Sequence, residues 1–153
     1  MTEALDILKM IEEVDPSDTA KLDEIDARVY EYLGFYWHGG GDSKNWQEMA
    51  GHWYFGLPMN DKGVCLCRSD REFAEEPPQH TRSRDALKAI RPGLQYYMHK
   101  DQGATLWQCT FAKWDVSGKN EHLEIKSPWL KTEELAELHA ITQAIEHERS
   151  KNN

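Results

Sequence analysis

Residues 103–115, GATLWQCTFAKWD, carry the clearest strand pattern in the chain. Side chains alternate along it as a β-strand requires, because successive residues of a strand point to opposite faces. One face would carry Thr105, Trp107, Cys109 and Phe111. The neighbouring stretches 94–99 (LQYYMH) and 122–126 (HLEIK) also predict strands, separated from the first by polar turns. Together they predict an antiparallel meander.

Helical spacing is found on both sides of this meander. Apolar residues recur every three or four positions over 2–14, over 19–33 and over 132–145. Ser83 and Thr132 are suitable N-cap residues, the first for a short helix that Pro92-Gly93 ends and the second for the last helix. The predicted apolar stripes are Leu5, Leu8 and Ile11, widened by Ile7 and Val14, then Leu22, Ile25, Val29 and Leu33, and finally Leu135, Leu138, Ile141 and Ile145.

The segment 33–46, LGFYWHGGGDSKNW, is either a short core strand with its turn or a contact surface. Gly34 is the expected end of the second helix, and the aromatic residues after it predict a strand that enters a glycine turn. GHWYFGLPM (51–59) predicts a second strand beside it, VCLC (64–67) a third, and residues 68–82 a loop. We expect most of these rings in the core. If one face is functional, the expected contact residues are Trp37, His38 and Trp46.

The order of elements, α-α-β-β-α-β-β-β-α, predicts an α+β fold with a mostly antiparallel sheet and amphipathic helices packed on it. Helices at both ends of the chain allow both faces of the sheet to be covered, which would give a three-layer α/β/α sandwich. With 153 residues, of which 39% are hydrophobic and 10% aromatic, we expect a single domain over 1–153 with a core of its own.

The net charge of −9 is concentrated in the terminal segments. Residues 1–33 carry ten acids and three bases, residues 34–131 twelve acids and thirteen bases, and residues 132–153 five acids and two bases. A protein that binds nucleic acid through many phosphate contacts needs a basic face, so direct nucleic-acid binding is not expected. An acidic surface suits a basic partner, or favours solubility alone.

The compartment expected from the sequence is the cytoplasm. The first residues, MTEALDILKMIEE, carry acids where a secretory signal carries bases, and no apolar run approaches the roughly 18 residues of a membrane span. Three cysteines, an odd number, indicate reduced thiols.

The sequence contains no catalytic or metal-binding motif. Cys65 and Cys67 are one residue apart, closer than the two to four residues usual in structural zinc sites. His139 and His147 lie about 12 Å apart along the last helix, too far to hold one metal, and are expected on its polar margin. Cys109 lies on a predicted strand, where a free cysteine is a small buried apolar residue. We expect no cofactor, metal or catalytic residue, and an unrecognised hydrolase is the remaining enzymatic alternative.

Arg82, Arg84, Lys88 and Arg91 form a local concentration of positive charge. They surround the start of the short predicted helix, where backbone amides favour anions, so a phosphate-bearing small ligand is one interpretation. The other interpretation is that these bases pair with the acidic terminal helices.

Three segments carry a resemblance to a known family: LDEIDARVYEYLG (22–34), HTRSRDALKAI (80–90) and TEELAELHAITQAIEHERS (132–150). With the aromatic meander between the last two, they resemble the phage ABA-sandwich domain over roughly residues 20–149. The resemblance implies a three-layer α/β/α fold, a phage or prophage origin and, for most members, no assigned activity. The helix over 1–14 lies outside the shared core, and a long insertion between the second and third regular segments departs from the family.

The leading hypothesis is a small acidic phage or prophage accessory protein that acts without catalysis in the host cytoplasm. It would bind a host or phage protein with a basic surface, for example as an inhibitor of host defence. Asp23, Glu24 and Asp26 on the polar face of the second helix would supply the charge, with aromatic anchors. The alternative is a protein that binds or sequesters a nucleotide-like ligand through Arg82, Arg84 and the tryptophans.

Overall fold

The structure is a computed structural model, and it describes residues 2–38, 52–55, 73–74, 77–113 and 123–151. The helices are α1 (Thr2–Glu13), α2 (Thr19–Tyr32), α3 (Arg84–Ile90) and α4 (Glu133–Lys151). The strands are β1 (Phe35–His38), β2 (His52–Phe55), β3 (Phe73–Ala74), β4 (Gln95–Lys100), β5 (Trp107–Lys113) and β6 (Leu123–Lys126). They form two antiparallel sheets, β1-β2-β3 and β4-β5-β6, so the predicted α+β fold is confirmed.

The chain divides into two compact units. Unit 1 consists of Met1–Ile25 and Gln79–Asn153, and unit 2 of Asp26–Pro78. The boundary falls within α2, so unit 1 is discontinuous in sequence while unit 2 is one continuous stretch. The single domain over 1–153 and the family core over 20–149 stay predictions.

Unit 1 contains the predicted meander. β5 is its central strand, since Phe111 pairs with Tyr96 of β4 on one side and with Ile125 of β6 on the other. The four consecutive residues from Cys109 to Ala112 are all at most 5% exposed. The alternation of side chains therefore predicts the strand correctly, whereas burial of residues on both faces depends on what packs against the sheet.

The boundaries of the later helices are confirmed by their capping bonds. The Ser83 hydroxyl accepts a hydrogen bond from the backbone N–H of Ala86 at 3.2 Å. The Thr132 hydroxyl accepts one from the N–H of Leu135 at 3.1 Å. Each bond satisfies an N–H that has no partner within its own helix, which is why these two residues begin α3 and α4.

The central element of unit 1 is α4, which contacts α1, α3, β5 and β6. Every residue from Leu135 to Thr142 is buried, and Ile145 is half-buried. A helix with neighbours on several sides has no polar face, so α4 also buries the polar residues Glu137 and His139.

α1 packs against α4 and belongs to unit 1. Its buried face consists of Ala4, Ile7 and Ile11, each at most 1% exposed, whereas Leu5 is 61% exposed. The prediction that Leu5 lies on the buried stripe is therefore wrong. Ala4, Ile7 and Ile11 follow the i, i+3, i+7 spacing of one helix face, whereas the i, i+3, i+6 spacing that begins at Leu5 drifts around the helix, so the narrower stripe packs against α4. The three-layer α/β/α arrangement stays a prediction.

Unit 2 contains the end of α2 and the sheet that follows. Gly34 has a φ of 107°, which L side chains rarely adopt, and its N–H donates to the Glu31 carbonyl at 2.9 Å, so it ends α2 as predicted. The Tyr30 and Phe35 rings stack with their centroids 4.2 Å apart.

The two predicted aromatic strands pair with each other over their full length. β1 and β2 are antiparallel from Phe35↔Phe55 to His38↔His52, and β2 also pairs with β3. β3 lies within residues 68–82, so the predicted loop is wrong at 73–74, where two residues are too few to show a strand period, whereas the described residues 77–82 contain no helix or strand, as predicted. The strand predicted over 64–67 lies outside the described residues.

Candidate functional site

The positive cluster of the sequence is neutralised within unit 1. Three of its four bases form ion pairs with acids of α2 and α4. The pairs are Arg82–Asp23 at 2.5 Å, Arg91–Glu137 at 3.0 Å and Arg84–Glu133. Of the two interpretations of this cluster, the structure therefore shows pairing with the acidic terminal helices.

Glu137 is the centre of this network, although nothing in the sequence singles it out. Its side chain is 0% exposed, and Arg91 donates to its Oε2 through Nε at 3.2 Å and Nη2 at 3.0 Å. The Tyr96 hydroxyl donates to Oε1 at 3.0 Å and accepts from Arg84 at 3.2 Å. Both carboxylate oxygens are thus satisfied, as a buried charge requires.

The same surroundings keep the Tyr96 hydroxyl and the Cys109 thiol protonated. Burial, and then the Glu137 carboxylate, raise the pKa of Tyr96 to about 12 and the pKa of Cys109 to about 12. Cys109 is 0% exposed, which confirms its prediction as a small buried residue. Its thiol is therefore not poised as a nucleophile.

His139 is 5% exposed, so the prediction that it lies on the polar margin of its helix is wrong. The Gln143 amide is 2.8 Å from Nδ1, which leaves Nε2 to donate to the Glu12 carboxylate at 3.1 Å. Burial lowers the pKa of His139 against the opposing effect of Glu12, in agreement with a neutral ring. Both nitrogens are thus engaged, and the contact of Nε2 with Glu12 joins α4 to α1.

His80 is a second buried imidazole. It is 2% exposed, and its Nδ1 has no hydrogen-bond partner among the described residues. Burial lowers the pKa of His80 to about 4, so the ring is neutral at pH 7. Nor do three or more potential metal ligands come together anywhere in the described part of the chain.

The remaining predicted contact residues are not brought together: they differ in burial and lie on different elements. Glu24 is exposed and pairs with Lys21 at 3.2 Å. Asp26 is 2% exposed, so its predicted place on the polar face of α2 is wrong; it follows Leu22 by four residues and shares that buried face. Trp37 and His38 are the last residues of β1, so the predicted strand is confirmed, and Trp46 lies outside the described residues.

Unit 1 also contains a cavity that the sequence does not reveal. It has a volume of about 320 Å³ and lies where α1, the turn after it and α2 meet. Its lining residues are Met10, Glu13, Val14, Asp15, Asp18, Lys21 and Ile25. The spacing between the two helices creates this cavity, and spacing between helices cannot be derived from the pattern of either one.

Comparisons with models of protein families, with curated proteins and with solved structures found no match for this chain. The resemblance to the phage ABA-sandwich domain and the origin that it implies therefore stay predictions. Within the described residues, none of the helices is both long enough and apolar enough to cross a membrane.

Proposed function

We propose that this protein acts without catalysis and binds a basic partner protein through the acidic surface of α1 and α2. The observation that carries the proposal is the charge of residues 2–25. This stretch contains eight acids and two bases, and all ten side chains are exposed. A surface with such an excess of one sign attracts a partner of the opposite sign and selects against acidic proteins.

The acidic surface also carries an exposed apolar side chain. Leu5 is 61% exposed on α1, on the same helix as several of these acids. Apolar side chains commonly supply the central contacts of an interface whose rim is charged. This combination supports a protein partner rather than a purely ionic ligand.

The reactive groups of unit 1 favour binding over catalysis. Cys109, the candidate nucleophile of the hydrolase alternative, has a buried thiol with a pKa of about 12. Glu137 is saturated by Arg91 and Tyr96 and has no free oxygen to act as a base. The hydrolase alternative therefore ranks below the binding proposal.

A phosphate-bearing ligand ranks second. To reach Arg82 or Arg84, its phosphate would have to displace the carboxylate of Asp23 or Glu133. A ligand that binds only the folded state raises the free energy of unfolding, by about a few kcal/mol at high occupancy. A rise in melting temperature with one of a panel of nucleotides therefore tests this alternative directly.

The biological setting that we propose comes from the family resemblance alone. It is that of a phage or prophage accessory protein in the host cytoplasm, with a host-defence complex as one partner to be tested first.

The experiment is co-purification from the source cells with charge-reversed variants. Glu3→Lys with Glu24→Lys reverses two exposed acids of the proposed surface. Glu124→Lys with Glu148→Lys makes the same change of net charge on β6 and at the end of α4. We expect a partner that wild type and the second variant retain, that the first variant loses, and that high salt releases. Equal recovery with both variants would contradict the proposal, provided that circular dichroism shows both to be folded.

A further inference from the structure

We propose that the cavity between α1 and α2 receives one lysine or arginine side chain from a basic segment of the partner protein. This inference rests on the proposed function and names the contact through which the acidic surface would act. The apolar stem of the incoming side chain would lie on the floor of the cavity, and its charged end would lie among the acids at the rim.

The floor of the cavity is apolar. Met10 and Val14, which are half-buried, line it together with the fully buried Ile25 of α2. A bare cation gains nothing from such a floor, whereas lysine and arginine bury their methylene stems against apolar surface while the charged group stays at the edge. The floor therefore favours a side chain over a free ion.

The rim of the cavity is acidic. Glu13, Asp15 and Asp18 line it, together with Lys21, whose ammonium group is held by Glu24 at 3.2 Å. Lys131 lies close enough to contribute to the lowered pKa of Asp15, after the larger effect of the hydrogen bonds from Ser17. The three acids outnumber the one lining base, so the charge of the cavity selects a cation.

Two of the rim carboxylates are held in place by the turn that forms the cavity. Asp15 Oδ1 accepts from the backbone N–H and the hydroxyl of Ser17 at 2.9 and 2.8 Å. Asp18 Oδ1 accepts from the N–H of Lys21 at 3.2 Å and so caps α2. Each carboxylate has a second oxygen with no described hydrogen bond, and its position is fixed before any partner arrives. A preorganised rim loses little conformational entropy on binding.

The volume is sufficient for a single side chain. At about 320 Å³ the cavity lies at the lower end of the roughly 300–1,000 Å³ range of ligand sites, and it opens to solvent at its rim. A side chain that enters it remains joined to a peptide backbone outside, as expected for part of a protein–protein contact.

The test uses the full-length protein labelled with ¹⁵N and a capped pentapeptide, glycine-leucine-lysine-leucine-glycine. We expect saturable changes in amide chemical shift over residues 10–25. The same peptide with norleucine in place of lysine should bind at least about fivefold more weakly, because the charge is lost. Magnesium chloride at equal ionic strength to a sodium chloride control should compete no better than that control.

A variant of the cavity rim makes the test specific. Glu13→Gln, Asp15→Asn and Asp18→Asn together remove three charges while they keep the turn and the cap, since asparagine caps a helix as well as aspartate does. We expect about tenfold weaker binding of the lysine peptide. The matched control is Asp85→Asn with Glu124→Gln and Glu148→Gln, three exposed acids outside residues 2–25, and it should bind within about twofold of wild type.

Four results would overturn the inference: no binding of the lysine peptide by wild type, chemical-shift changes outside residues 10–25, equal binding of both peptides, or unchanged binding by the variant of the cavity rim. A magnesium ion that displaces the peptide selectively would likewise replace it with a plain cation site. None of these results bears on co-purification by the Glu3 and Glu24 variant. The wider binding function can therefore survive the loss of this inference, and the two fail separately.

Discussion

Removing the charge of Glu137 should destabilise unit 1 more than any other single neutralisation that we name. The carboxylate is 0% exposed and accepts two bonds from Arg91 and one from Tyr96. Breaking a buried ion pair costs about 3–5 kcal/mol, but the Arg91 side chain is 26% exposed and regains part of its hydration. For Glu137→Gln, which keeps the volume of the side chain, we expect a loss of about 2 kcal/mol.

The assay is urea unfolding monitored by circular dichroism. With a urea dependence of about 2 kcal/mol per molar, a loss of about 2 kcal/mol lowers the midpoint by about 1 M. Glu133→Gln is the matched control, because Glu133 pairs with Arg84 but is 34% exposed, and it should cost less than about 1 kcal/mol. Replacing the whole network by Arg91→Met, Tyr96→Phe and Glu137→Leu should restore stability to within about 1 kcal/mol of wild type.

The reasoning fails if Glu137→Gln is no more costly than Glu133→Gln. In that case the buried carboxylate would not depend on its charge, and the role of Arg91 as its counterion would have to be abandoned. A triple variant as unstable as Glu137→Gln would contradict the second part, that apolar packing can replace the pair.

Three further predictions concern groups described above. Because burial lowers the pKa of His80 from 6.5 to about 4, the unfolded chain takes up a proton first, so stability is intact above pH 6.5 and falls as the pH drops toward 4. His80→Gln should remove up to about 3 kcal/mol of that acid-induced loss, measured as the difference in urea stability between pH 7 and pH 4. With the other two cysteines replaced by serine, Cys109 should resist iodoacetamide at pH 8 until urea unfolds the protein; rapid alkylation of the folded protein would contradict its burial. On α1, Ile7→Ala should cost about 2–4 kcal/mol and Leu5→Ala less than about 0.5 kcal/mol, and the reverse order would restore the face predicted from the sequence.

The parts of the fold that the sequence predicts are those fixed by local chemistry. Ser83 and Thr132 begin helices because their hydroxyls bond backbone N–H groups three residues on, and Gly34 ends one because of its positive φ. The alternation in 103–115 likewise belongs to the strand itself. Such features need no knowledge of distant residues.

Burial, by contrast, depends on what packs against each element. Leu5 and Ile7 are both apolar and both belong to the predicted stripe of α1, and the contact with α4 covers Ile7 but leaves Leu5 outside. Asp26 could have been placed correctly, since its spacing from Leu22 marks the same face, but its charge argued for solvent. The burial of Glu137 could not have been predicted, because a glutamate in a helix is more often exposed than enclosed by two other elements.

The candidate site likewise has one feature that the sequence predicts and one that depends on packing. Pairing of the positive cluster with the terminal acids follows from charge, and the sequence offered it as one of two interpretations. The cavity beside Asp15 and Asp18 depends on how closely two helices approach, which no periodicity contains.

The discontinuity of unit 1 has a consequence for synthesis on the ribosome. About 120 residues separate the end of α1 from the start of α4, against which it packs. At about 5–20 residues per second, α1 waits roughly 6–24 s for that partner to be made. During this time Ile7 and Ile11 have no α4 to cover them, and chaperones or early aggregation compete for the nascent chain.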